Sequence, residues 1–317
     1  MNESVDALLH EGKRSSMKRR RLRSLAQFLI AVSIVAVVCS AGFSQAGRRS
    51  NSSAQGGALI SLVAKRDNSS AAPITGKQLA LFDNGVQQDI KNLSRDPSPA
   101  RIVLLVDNSL TIRADVEKLE EAAREFAYEI FKGDTLLIIG YDEQAEIVAD
   151  WTDDAKAIEA SLKSFRKKGE PHLFDALAAV ADQALRPLAG QKRVVVVISD
   201  GLDRGSKTSF EQILSELQRL DITVYFVQAP DRTRGAIRRD VPKPKQVIEK
   251  LVEGTGGLTF PIDQSRDAAN AICDELRKSR YVLSYMPSSM PFGETRRLLV
   301  TGDQGITVRA KTAQPPN

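Results

Sequence analysis

The chain has 317 residues, 42% hydrophobic and 27% charged, which excludes a mostly disordered chain, a collagen-like repeat and a polytopic membrane protein. The net charge of +5 is unevenly spread: residues 1–24 hold seven Lys/Arg against three Asp/Glu, whereas residues 47–317 hold 38 against 37, so the body is near neutral and carries no electrostatic footprint for nucleic acid. With only Cys39, Cys273, His10 and His172 available, a disulfide framework and four-ligand Cys/His zinc sites are excluded as well.

Residues 1–24 read as a basic cytoplasmic n-region, and residues 25–46 as a signal peptide or a transmembrane anchor. Lys18-Arg19-Arg20-Arg21 and Arg23 precede Leu25–Phe43, nineteen residues without a charge. At helical rise that stretch is about 28 Å long, the thickness of one hydrocarbon core. The cationic side stays in the cytoplasm, so the rest of the chain is expected outside it, periplasmic or at the cell surface, membrane-anchored or secreted. Ser44-Gln45-Ala46 has the small-x-small form of a cleavage site, and cleavage and retention both stay open. Cys39 follows Val38, a poor fit to a lipidation site, and reads as a residue of the span.

Residues 47–57 are a polar, glycine-rich flexible linker. Residues 58–97 form a small β segment: one strand at Leu59–Ala64, then Gln78–Phe82 and Val86–Ile90 flanking Asn84-Gly85, a strong hairpin signal. From residue 98 to 280 apolar runs alternate with helical spacing. Strands are expected at Ile102–Val106, Thr135–Gly140, Val194–Ser199, Ile222–Val227 and Leu258–Pro261, with Glu146–Trp151 as an antiparallel edge. Helices are expected at Ile112–Phe131, Asp154–Phe165, Leu173–Leu185, Ser209–Leu220, Pro244–Val252 and Arg266–Ser279. This alternation specifies an α/β fold, a doubly wound, mainly parallel sheet flanked by helices. Residues 281–317 add strands at Tyr281–Tyr285, Arg296–Val300 and Ile306–Ala310, as an antiparallel appendage or an extension of the sheet.

Ligands of an open α/β sheet bind beyond the carboxyl ends of its strands. Two such ends carry unusual polar groups. The first strand runs into Asp107-Asn108-Ser109-Leu110-Thr111, and the VVVVIS strand runs into Ser199-Asp200-Gly201-Leu202-Asp203. Two carboxylates and two hydroxyls spaced i, i+2 make a hard oxygen cluster suited to Mg²⁺ or Mn²⁺. The competing reading makes Asp107, Ser109 or Thr111 an N-cap of the following helix and Asp200 a turn former. The loop 229–245 holds six Lys/Arg, including Arg232, against Asp231 and Asp240. It reads as a solvated cationic loop on the same face, able to attract an acidic partner. Tyr141 and Trp151 read as sheet-edge packing, and Cys273 as a small buried residue.

These segments resemble the von Willebrand factor type A (VWA) domain. The residues that carry the resemblance are 104–111 (LLVDNSLT), 169–177 (GEPHLFDAL) and 197–203 (VISDGLD). The flanking Leu81-Phe82-Asp83-Asn84-Gly85 and Tyr281–Pro287 look like the exported bacterial VWFA-related subfamily. The resemblance implies a Rossmann-like fold and a metal-ion-dependent adhesion site with Asp107, Ser109 and Thr111 as ligands and Asp200 acting through water. Where the family has a direct Thr ligand, this chain has Pro171, with His172 next to it, so weakened or lost metal affinity is expected. The resemblance implies a protein-interaction module whose partner, by an acidic side chain, completes the metal shell. The alternatives are a Mg²⁺-dependent phosphatase-like hydrolase using Asp107, or a metal-independent structural envelope protein. The hydrolase lacks the second Asp two residues after the nucleophile, where Ser109 stands. No Gly-x-Ser-x-Gly elbow or phosphate-cradling Gly-rich loop is present either, so no catalytic residue is assigned.

Overall fold

A computed structural model describes residues 57–68, 72–233, 242–288 and 293–316. The expected signal or anchor and most of the linker lie outside them. Among the described residues no helix is long and apolar enough to cross a membrane. The described residues belong to one unit, Arg48–Asn317. In chain order the strands are β1 (Ala58–Arg66), β2 (Leu79–Asp83), β3 (Val86–Gln88), β4 (Ile90–Arg95), β5 (Ala100–Asp107), β6 (Thr135–Tyr141), β7 (Ala145–Thr152), β8 (Lys192–Ser199), β9 (Thr223–Gln228), β10 (Thr259–Pro261), β11 (Arg280–Tyr285), β12 (Arg296–Gly302), β13 (Ile306–Ala310) and β14 (Ala313–Gln314). The α-helices are α1 (Val116–Glu129), α2 (Ala155–Leu162), α3 (Leu173–Ala179), α4 (Phe210–Arg219), α5 (Pro244–Thr255) and α6 (Ser265–Lys278).

The central sheet runs β10-β9-β8-β5-β6-β7, parallel throughout except for β7, which turns back antiparallel on β6. β5 and β8 sit in the middle, and their side chains are buried on both faces. That is why they read as unbroken apolar runs rather than alternating ones. Successive side chains leave opposite faces. Ile102, Leu104, Val106, Val194, Val196 and Ile198 pack with α1, α2 and α6. Val103, Leu105, Val195 and Val197 pack with α3, α4 and α5. A doubly wound sheet follows from that division.

The helices differ from expectation at their ends. α1 begins at Val116 with Asp115 at the N-cap position, four residues after the apolar spacing starts, so Asp107, Ser109 and Thr111 do not cap it. The expected helix 173–185 is α-helical only to Ala179, and Val180–Leu185 widens to π geometry. Asn84 and Gly85 both adopt positive φ, as a two-residue hairpin between β2 and β3 requires.

The expected strand Val86–Ile90 is two strands, because the chain leaves β2's sheet after β3 and enters a different one as β4. The segments before and after the α/β body interleave. One sheet runs β13-β1-β11-β4, and another runs β14-β12-β2-β3. Ile60, Leu62, Leu81, Leu283, Tyr285 and Leu298 share the core between them. The tail strands are therefore an antiparallel appendage, not an extension of the central sheet. Buried Glu275 of α6 ties this β module to the body: it accepts from Tyr225 of β9 (2.7 Å), pairs with Lys65 of β1 (2.7 Å) and meets Arg309 of β13.

Candidate functional site

β5 and β8 are parallel neighbours with Val106 opposite Ile198, so Asp107 and the Ser199-Asp200 pair emerge at the same level at the carboxyl edge. The loop after Asp107 folds on its own side chain: Asp107 Oδ1 accepts from the Ser109 amide (3.0 Å) and the Ser109 hydroxyl (2.6 Å). Asp200 Oδ1 accepts the Leu202 amide (3.1 Å), so the turn-forming reading of Asp200 holds alongside any other role. Gly201, at φ +82°, lets α5 come close. A Cβ there would lie 2.7 Å from Ile248 Cγ1 and 2.9 Å from the Pro244 carbonyl oxygen. The middle loop lies against the first, with the Leu110 amide donating to the Gly169 carbonyl (3.1 Å) and the Lys168 amide to that of Asn108 (2.8 Å).

The four expected residues Asp107, Ser109, Thr111 and Asp200 come together, and the group that joins them is Arg232. Its Nε donates to Asp200 Oδ2 (2.7 Å), and Nη2 donates to Asp200 Oδ1 (2.8 Å) and Asp107 Oδ2 (2.5 Å). Nη1 donates to the Ser109 hydroxyl (2.8 Å) and the Thr111 hydroxyl (2.7 Å). All five N–H groups of the guanidinium are thereby used. Asp107 and Asp200 are fully buried and the Arg232 side chain is 4% exposed. The Arg232 backbone is held too, its amide donating to Asp200 Oδ2 (3.0 Å). Arg232 therefore departs from the reading of loop 229–245 as wholly solvated. It projects inward from the loop that leaves β9.

Two more residues complete the cluster from below. The Ser199 hydroxyl donates to Asp107 Oδ2 (2.9 Å) and accepts from the Tyr141 hydroxyl (2.9 Å) and the Gly201 amide (3.1 Å). Tyr141 is thus a fully buried member of the site's hydrogen-bond chain, not edge packing alone. Burial pushes the Asp107 carboxyl above the ordinary carboxylate range, against the pull of Arg232, Ser109 and Ser199. Burial, then the Asp107 charge, pushes the Tyr141 phenol far up, so it stays a neutral donor. For Arg232 burial acts to lower the value, but the hydrogen bonds to Asp200 and the charge of Asp107 outweigh it and hold the proton.

The Pro171 carbonyl accepts the Arg204 amide (2.7 Å), and its side chain offers no oxygen. The His172 ring lies over Gly205, where a Cβ would stand 2.8 Å from its Nε2. Among the described residues no three His, Cys, Asp or Glu side chains gather into a metal cluster. The arrangement does not fit a divalent ion: the centre of the oxygen set is filled by a guanidinium, and one side-chain ligand is missing.

The sequence profile of the von Willebrand factor type A domain matches residues 102–202. The chain contains a VWA domain. The matched segment runs from β5 into the Asp200 loop and stops short of Arg232. No curated protein matches the chain. Similar solved structures include an aerotolerance-related membrane protein from Bacteroides fragilis NCTC 9343 carrying multiple mutations to serine, 19% identical over 56% of this chain and 99% of that one, with a TM-score of 0.46. The conserved hypothetical protein BatB from Bacteroides thetaiotaomicron is 18% identical over 56% of this chain and 98% of its own, TM-score 0.45. A von Willebrand factor type A protein from Catenulispora acidiphila is 10% identical over 86% and 76%, TM-score 0.46.

Arg232 escaped the sequence reading because nothing in the local sequence marks one arginine of six as buried. One signal was available. Two carboxylates at neighbouring buried strand ends need a cation, a ligand for a metal was missing at Pro171, and Arg232 is the first basic residue after β9.

Proposed function

We propose that this chain is a non-enzymatic VWA protein-interaction module of the exported bacterial VWFA-related type, working outside the cytoplasm. The boundaries we assign are residues 98–280 for the VWA domain, with residues 58–97 and 281–317 supplying the β module. The basic block and Leu25–Phe43 support export and a membrane tether or a cleaved signal. The partner meets the sheet top, at the loops that follow β5, β8 and β9. The observation that carries this reading is the convergence of three loops at the carboxyl edge on one buried polar cluster, with Leu110 standing 65% exposed beside it. Binding and adhesion sites on α/β sheets sit at that edge, and an exposed aliphatic residue over a rigid base is a suitable anchor.

The hydrolase alternative finds no support in the geometry. Asp107 is fully buried, its Oδ1 is taken by Ser109, and its Oδ2 is taken by Ser199 and Arg232. A carboxylate so engaged has no path to an incoming phosphoryl group. Cross-linking on intact cells tests the interaction reading. Wild type should capture a defined protein that Leu110→Arg loses while keeping its melting temperature. Equal capture by both would move the interface away from this face. An aryl phosphate assay should give no Mg²⁺-dependent turnover, and turnover abolished by Asp107→Asn would restore the hydrolase reading.

A further inference from the structure

We propose that the Arg232 guanidinium is a built-in replacement for the metal ion of this site, so that the sheet top is assembled and held without any divalent cation. Four observations converge. The guanidinium contacts both carboxylates and both hydroxyls expected to ligate a metal. It has no N–H left over. Its backbone is fixed at both ends of the approach: the Ala229 amide continues the ladder onto the Ser199 carbonyl (3.0 Å), and the Arg232 amide is on Asp200. The next residue, Thr233, is turned back by bonds from its amide and hydroxyl to Asp231 Oδ1 (both 2.7 Å).

The chemistry of exchange favours arginine. Mg²⁺ needs about six oxygens near 2.1 Å in octahedral array. Here the acceptors stand 2.5–2.8 Å from guanidinium nitrogens, hydrogen-bond distances, and the Pro171 side chain supplies no oxygen. A free ion would have to displace a planar fork that is tethered to the site and already engages both carboxylates and both hydroxyls. Arginine also resists losing its proton at any physiological pH, so the charge is permanent.

A consequence for recognition rests on the proposed function: a partner carboxylate has neither a metal position nor a free guanidinium N–H to bind, so recognition at this face does not depend on divalent cations. The cation assignment itself does not need that reading, and its test involves no partner. Thermal melts of the full chain in detergent, in EDTA and then in millimolar Mg²⁺ or Mn²⁺, should differ by less than about 1 °C, since a ligand that does not bind the folded state cannot shift its melting point. Arg232→Ala should lower the melting temperature by about 10 °C in EDTA, because it strands two buried carboxylates. Arg232→Lys should lie between them. Equilibrium dialysis with Mn²⁺ should find no bound ion in wild type and about one per chain in the Pro171→Thr/Arg232→Ala double variant, where a hydroxyl and a vacant centre are restored. A saturable Mn²⁺-dependent rise in the wild-type melting temperature would overturn the proposal. So would an Arg232→Ala protein as stable as wild type. If Arg232→Ala fails to fold, the wild-type melt and dialysis still decide.

Discussion

At the scale of single residues, the sheet top is a problem in compensating buried charge. Asp107 and Asp200 lie out of water at the ends of adjacent strands. An isolated carboxylate there is too costly to keep, and it persists only with a cation and hydrogen bonds around it. Arg232 supplies the charge, while Ser109, Ser199 and Tyr141 supply or relay the bonds. The order of importance follows from what each removal leaves behind. Tyr141→Phe deletes one donor to Ser199 and leaves no buried charge unpaired, so it should cost about 1 kcal/mol in urea denaturation. Asp200→Ala removes the acceptor of three Arg232 donors and should cost about 3–5 kcal/mol, since a guanidinium is then left buried with two of its five hydrogen bonds and one of its two carboxylates gone. A Tyr141→Phe loss as large as that of Asp200→Ala would show that the Ser199 chain, not the ion pairs, organises the cluster.

At the scale of elements, the site depends on the central strands and on one close approach. Leu104, in the middle of β5, is fully buried between β6 and β8 and packs toward α1. Leu104→Ala should cost about 2–5 kcal/mol by cavity formation. Because it leaves the loops untouched, it separates loss of stability from loss of the site. Gly201 is different. It combines positive φ with backbone and side-chain atoms of α5 within 3 Å of where a Cβ would go. Gly201→Ala should therefore destabilise by more than about 1 kcal/mol and displace the Asp200 loop from α5, visible as altered amide exchange at Leu202 and Ile248.

At the scale of the whole unit, Glu275 joins the α/β body to the β module through Tyr225, Lys65 and Arg309. Burial alone would raise its carboxyl, but Arg309, Lys65 and the Tyr225 hydroxyl hold it below its ordinary 4.5. A carboxylate whose folded-state value is depressed stabilises above its unfolded value and loses that contribution as pH falls through the folded one. Glu275→Gln should accordingly lower the urea midpoint at pH 7, by about 3 kcal/mol or more in free energy. The gap to wild type should narrow steadily below pH 4.5. A gap independent of pH would mean that Glu275 contributes by packing alone.

Much of this was legible in the residues. VVVVIS and the other apolar runs, with helical spacing between them, gave the parallel sheet and its two helical layers, because burial on both faces leaves a signature that needs no knowledge of neighbours. The Asn84-Gly85 turn was legible for the same local reason: both residues must adopt positive φ. Strand-end position was enough to bring Asp107, Ser109, Thr111 and Asp200 forward as one cluster. Only the tertiary structure decided how the strands flanking the α/β body pair, since β1 meets β11 across more than two hundred residues and antiparallel strands carry no address for a distant partner. It alone decided what neutralises the cluster. A buried and a solvated arginine look identical in sequence, and the difference lies in where the turn after β9 aims the side chain, a property of the packed loops and not of the residue.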